Sequence, residues 1–105
     1  MQRVYCLDSM TVKWVSPVGE QQEECGNLLE IWKFGGLLHV DHAIAPGTSV
    51  TLCAGGIHID AKVQRFEQDE FGYYLRLRTS QPWFPQSYVP QYVLGSPAGK
   101  QYHAG

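Results

Sequence analysis

The sequence predicts an all-β protein, a small antiparallel barrel of six strands followed by a short C-terminal helix. Three observations lead there. β-Branched and aromatic runs recur at roughly 8–12-residue intervals, turn residues separate them, and no long apolar pattern of helical period occurs. Six such runs are present, and each is bounded by Gly, Pro, Asn or Ser.

The first run, Thr11-Val12-Lys13-Trp14-Val15, is closed by Ser16-Pro17-Val18-Gly19. The second, residues 27–33, ends near Gly35-Gly36, and residues 37–40 form the third. Pro46-Gly47 stands just before the fourth run, residues 48–53, as in a type II turn with Pro at i+1 and Gly at i+2. Gly55-Gly56 marks a hairpin turn. The clearest alternation follows, with Ile57, Ile59, Ala61 and Val63 on one face and His58, Asp60, Lys62 and Gln64 on the other. Tyr73, Leu75 and Leu77 alternate in the same way with Tyr74, Arg76 and Arg78. Residues 86–94 are the one candidate helix, one or two turns long because Pro90 interrupts it. Trp83 and Phe84 are expected to cover the mouth of the barrel.

The last two strands form a hairpin across Glu67-Gln68-Asp69-Glu70. Apolar faces meet only when paired residue numbers have an even sum, since a slip of one turns every side chain over. One such register pairs Val63 with Leu75 and Asp60 with Arg78. The next pairs Ala61 with Leu75 and Asp60 with Arg76. Either places Asp60 opposite an arginine, an ion pair worth roughly 0.2–1 kcal/mol.

Composition narrows the function. The chain has 105 residues, enough for one domain, expected over 1–95 with a flexible tail at 96–105. Eight Lys and Arg against ten Asp and Glu give a charge of −2, without the basic excess of a duplex DNA binder. No apolar run is long enough to span a membrane as a helix, and no secretory signal opens the chain, so a cytoplasmic location is expected. Cys6, Cys25 and Cys53 are an odd count without a zinc spacing, and read as reduced thiols. His39-x-Asp41 and His58-x-Asp60 each place two metal-ligand types on one strand face. Solvent faces of strands are polar in any case, so no metal is assigned. No P-loop occurs, and nothing in the sequence itself activates Cys25 or Cys53 as a thiol nucleophile, so the chain is not expected to be an enzyme. The thirteen aromatic residues are read as core and end-cover rather than a nucleic-acid stacking platform, because no basic residues are interleaved among them.

Residues 29–36, Leu-Glu-Ile-Trp-Lys-Phe-Gly-Gly, with Pro46-Gly47-Thr48-Ser49-Val50 downstream, resemble the PilZ domain family. The resemblance continues through residues 57–63, residues 72–78, Trp83 and residues 88–94. It covers roughly residues 10–95, in the family's order of strand, glycine loop, strand, Pro-Gly turn, strand, hairpin and short helix. It implies a six-stranded barrel, a bacterial origin and a place in cyclic di-GMP signalling.

The family holds that dinucleotide with R-x-x-x-R ahead of the first strand and with [D/N]-x-S-x-x-G on the barrel surface. The second element here reads Glu30-x-Trp32-x-x-Gly35, with an indole where a small hydroxyl is expected. The nearest fit to the first is Arg3-Val4-Tyr5-Cys6-Leu7, in which the second arginine is Leu7. Two missing charge-assisted contacts, each worth roughly 1.5–3 kcal/mol, would lower affinity by at least about a hundredfold. Arg3, Glu30, Trp32 and Gly35 are therefore the degenerate ligand positions. Gly35 is expected to serve a turn with positive φ. Trp32 is expected to stand exposed beside Phe34 as an anchor for a protein partner. The resulting expectation is a non-catalytic adaptor with impaired nucleotide binding and no bound cofactor. The alternative is a cyclic di-GMP receptor in which Trp32 stacks on guanine and Arg3 meets phosphate.

Overall fold

The computed structural model describes residues 3–84 and 88–95. Seven strands are present: β1 (Arg3–Val15), β2 (Gln21–Trp32), β3 (Gly35–Val40), β4 (Ser49–Ala54), β5 (Ile57–Asp69), β6 (Gly72–Arg78) and β7 (Val93–Gly95). All pairings are antiparallel within one sheet of order β2-β3-β6-β5-β4-β1-β7. β1 bonds to β2 along its length and also to β4, so the succession from β2 through β3, β6, β5, β4 and β1 returns to β2. Closing the succession in this way leaves those six strands without a long unpaired edge.

Alternation explains what lies inside. On β1 the even positions Val4, Cys6, Asp8, Met10 and Val12 are all buried. They meet Leu28 and Ile31 of β2, Leu38 and Val40 of β3, Val50 and Leu52 of β4, Val63 of β5, and Leu75 and Leu77 of β6. Each fully buried aliphatic side chain of this kind contributes about 1.5–3 kcal/mol. Trp83 and Phe84 are buried against the same cluster, as expected of a cover. Trp83 stacks on Tyr88, with ring centroids 5.8 Å apart, and donates from Nε1 to the Gly35 carbonyl at 3.0 Å.

The turns follow their residues. Thr48 N–H donates to the Ala45 carbonyl at 3.1 Å across Pro46-Gly47, and Gly47 has φ of 90°, as a type II turn requires. Gly55 and Gly56 have φ of 56° and 84° between the paired residues Ala54 and Ile57, the two positive values of a type I′ hairpin.

Three expectations are corrected. The strand count is seven, not six, and β7 is added on β1 through Tyr5 and Cys6. No helix occurs among the described residues, and residues 88–95 run as an irregular segment into β7. Of the expected helix, residues 86 and 87 lie outside the described residues, as does the expected tail at 96–105. The physical reason is Asp8, an inward-facing carboxylate that is 3% exposed. It accepts from the Tyr88 hydroxyl and, at 2.9 Å each, from the backbone N–H groups of Gln91 and Tyr92. Those amides are held across the fold instead of along a helix, and Pro90 contributes no N–H at all.

The third correction is register. β5 and β6 pair Val63 with Leu77 and Lys62 with Arg78, then Arg65 with Arg76 and Phe66 with Leu75, the shift lying between Val63 and Arg65. A β-bulge at this point inserts Gln64 and shifts the pairing of β5 with β6 by one residue, so that Phe66 instead of Arg65 lies opposite Leu75. Asp60 therefore faces no arginine. Its Oδ1 accepts from Thr51 Oγ1 at 2.9 Å on the β4 side.

Cys6 and Tyr88 make stability sensitive to alkali. Burial, reinforced by Asp8 and Glu30, pushes the Cys6 thiol up from 9.0 to about 12. Burial and then the hydrogen bond to Asp8 raise the Tyr88 phenol above its usual range. Both groups are held in their neutral forms by the fold. Their contribution is complete below the unfolded values and is lost as pH rises from about 9 toward 12. Urea midpoints should fall steadily above pH 9, and Cys6→Ala should flatten the early part of that decline. A flat profile to pH 11 would contradict the burial of these groups.

Candidate functional site

The degenerate motif positions meet on the outer face where β1, β2 and β3 run side by side. The register aligns Arg3 with Trp32 and Trp32 with Gly35, while Tyr5, Glu30 and Leu37 form the adjacent row. Ile31 faces the core, so Glu30 and Trp32 flank it on the outside. The sequence reading places these residues on one surface, and the fold does bring them together.

Trp32 is not exposed, however. It is 6% accessible, although it lies outside the core cluster. Its indole passes over Gly35, and the Arg3 and Arg76 guanidinium carbons lie 4.7 and 4.8 Å from its ring centroid. Each such cation–π contact is worth about 0.5–2 kcal/mol, depending on desolvation. The expected exposed indole is thus a covered platform. Alternation along a strand reports the face of a residue, but not what neighbouring strands lay over it.

Gly35 also differs from expectation. It sits in β3 and is not among the positive-φ glycines. Space is what it supplies: a Cβ there would press into the Leu77 carbonyl oxygen and come 2.7 Å from Trp32 Nε1. Glu30 is half-buried, with Oε1 2.9 Å from Arg3 Nε. The two groups form an ion pair without the alignment of a hydrogen bond. Arg3 is engaged by both Glu30 and Trp32. Phe34, by contrast, occupies the two-residue β2–β3 turn and is 39% exposed.

A feature absent from the sequence reading adjoins this platform. The bulge at Gln64 sets Lys62 opposite Arg78 and Arg65 opposite Arg76, two like-charged pairs side by side. Like charges directly opposite on a sheet are destabilising. Among the described residues, no carboxylate lies within ion-pairing distance of any of the four. Half of the chain's eight Lys and Arg are therefore gathered on one unneutralised surface. Beside it is a cleft of about 560 Å³ lined by Trp32, Phe34, Gln64, Arg76, Arg78, Thr79 and Ser80. Thr79 is 2% exposed, and its buried Oγ1 has no hydrogen-bond partner. A larger concavity of about 760 Å³ lies at the Trp14–Gln22 end of the β1–β2 hairpin. There Lys13 and Glu23 pair with each other at 3.6 Å, so its charge is already answered.

His39, His42 and His58 are held in separate contacts. His39 Nε2 meets the Phe71 carbonyl at 2.8 Å, His42 meets Glu24 at 3.2 Å, and His58 Nδ1 meets Cys53 Sγ at 3.3 Å. Among the described residues, no three His, Cys, Asp or Glu side chains gather as a metal site would require. No helix among them is long and apolar enough to cross a membrane.

Compared with known proteins, the chain matches no family model, no curated sequence and no solved structure.

Proposed function

We propose that this chain is a non-catalytic binding domain, a PilZ-like barrel that acts through protein contacts in bacterial cyclic di-GMP-linked signalling, with its dinucleotide grip impaired. The closed succession of six paired strands is compatible with that barrel. The observation that carries the reading is the state of the motif positions. An indole fills the place of a small hydroxyl, and Arg3 and Glu30 are engaged with each other instead of being free for phosphate and guanine. Trp32, being covered, is no longer the partner anchor. That role passes to Phe34, the exposed aromatic at the β2–β3 turn.

The competing reading is a receptor that takes cyclic di-GMP with Trp32 stacked on guanine. It requires Arg3 or Arg76 to leave the indole first, which adds a cost to every binding event. Calorimetric titration with cyclic di-GMP separates the two. No saturable heat up to about 1 mM ligand is expected, whereas a dissociation constant near 1 μM, about 8 kcal/mol of binding, would overturn the proposal.

A further inference from the structure

We infer that the cleft between the β2–β3 turn and the end of β6 is a binding site for a phosphoryl dianion, a phosphate monoester whose apolar or aromatic portion lies against Phe34. The inference stands on the β5 and β6 residues and does not depend on the proposed function.

Charge is the first argument. Lys62, Arg65, Arg76 and Arg78 stand in two adjacent cross-strand pairs, and no described carboxylate neutralises them. A chain of net charge −2 has ten carboxylates with which to offset them, yet Asp60 and Glu67, two residues along β5 from Lys62 and Arg65, make no ion pair with them, and Asp69 and Glu70 lie at the hairpin end. An arrangement that repels itself in the free protein becomes favourable when an anion is inserted. Arg76 and Arg78 line the cleft itself, with Lys62 and Arg65 opposite them on β5, and this positive field suits a dianion better than a single carboxylate.

Chemistry at the wall is the second. Arg76 and Arg78 can each offer a planar fork of N–H donors to phosphoryl oxygens, and Gln64 and Ser80 line the same space with further donors. Thr79, at the same wall, carries a buried hydroxyl with no partner. Phe34 supplies an exposed apolar surface at the rim. At about 560 Å³, the cleft has room for more than an inorganic ion.

The test is calorimetry on the full chain with phenyl phosphate, and with a short phosphotyrosine peptide to separate a free ester from a protein-borne one. Saturable binding of either supports the inference, and the tighter of the two identifies the source. Affinity should rise from pH 5 to 7.5 as the monoester takes its second charge near pH 6. Diphenyl phosphate, a diester with one charge, should bind at least tenfold more weakly. Arg78→Gln removes an exposed side chain that forms no ion pair among the described residues, and should weaken phenyl phosphate about tenfold or more while the fold is retained. Lys13→Gln, at the other concavity, should leave binding unchanged. Three results would overturn the site: no saturation by phenyl phosphate or the peptide at about 10 mM in low salt, equal affinity for the diester, or an unaffected Arg78→Gln variant. Cyclic di-GMP is itself a diester, so its titration can fail or succeed without deciding this one.

Discussion

Asp8→Ala is expected to cost about 3–5 kcal/mol, a large share of the stability of a domain this size. The carboxylate is buried on the inward face of β1 and answers three donors, the Tyr88 hydroxyl and the Gln91 and Tyr92 amides. Alanine leaves all three without this acceptor, and Tyr88 is itself largely buried. Asp8→Asn retains one acceptor oxygen and should cost less. Urea unfolding followed by Trp fluorescence measures both variants. Trp83 stacks on Tyr88, so the native signal should change with the latch as well. A loss below about 1 kcal/mol for alanine would mean that Asp8 does not hold the C-terminal segment.

Gly35→Ala should be nearly as damaging, at about 3 kcal/mol or more. The added methyl group meets the Leu77 carbonyl oxygen of β6, which is backbone in a paired strand and cannot step aside. It also meets the indole of Trp32. The double variant Trp32→Ser/Gly35→Ala removes the second clash and leaves the first, so it should recover only part of the loss. Full recovery would show that the indole, not the approach of β6, excludes a side chain. Gly36→Ala provides a milder comparison, since its nearest backbone neighbour, the Glu30 carbonyl, would stand 2.9 Å away.

These two residues also show which information is local. The Pro46-Gly47 and Gly55-Gly56 turns were legible because their chemistry is contained in the turn itself. Runs within six strands were legible because alternation repeats every second residue, although β1 and β2 begin at Arg3 and Gln21, well before the runs at 11–15 and 27–33. The β5–β6 register was not. Glu67, Gln68 and Asp69, read as part of the turn, belong to β5, whose two-residue turn is Glu70-Phe71, and with the added residue of the bulge at Gln64 this sets Arg76 opposite Arg65 instead of Asp60. The C-terminal segment was misread because its backbone amides bond to Asp8, more than eighty residues away. One local signal did exist: Asp8 stands at an inward parity, where a carboxylate needs partners.

For the candidate site, strand parity turned Glu30 and Trp32 outward, while Arg3, read as lying ahead of the first strand, and Gly35, read as a turn glycine, were grouped with them only through the family resemblance. Whether Trp32 stood free or covered depended on Arg3 from β1 and Arg76 from β6. Net charge misled in a related way. A total of −2 averages over the chain, while the pairing of β5 with β6 concentrates four cations in one place.

By itself, then, the amino-acid order determined the all-β class, the Pro46-Gly47 and Gly55-Gly56 turns and the facing of strand residues wherever the pleat is unbroken, because these depend on neighbours one to four positions apart. Only the tertiary structure decided the closing of β1 onto β4, the capture of the C-terminal segment by Asp8, the cover over Trp32 and the arginine surface. Each of these is a contact between strands distant in the chain, and its partner is set by register, which a single inserted residue changes.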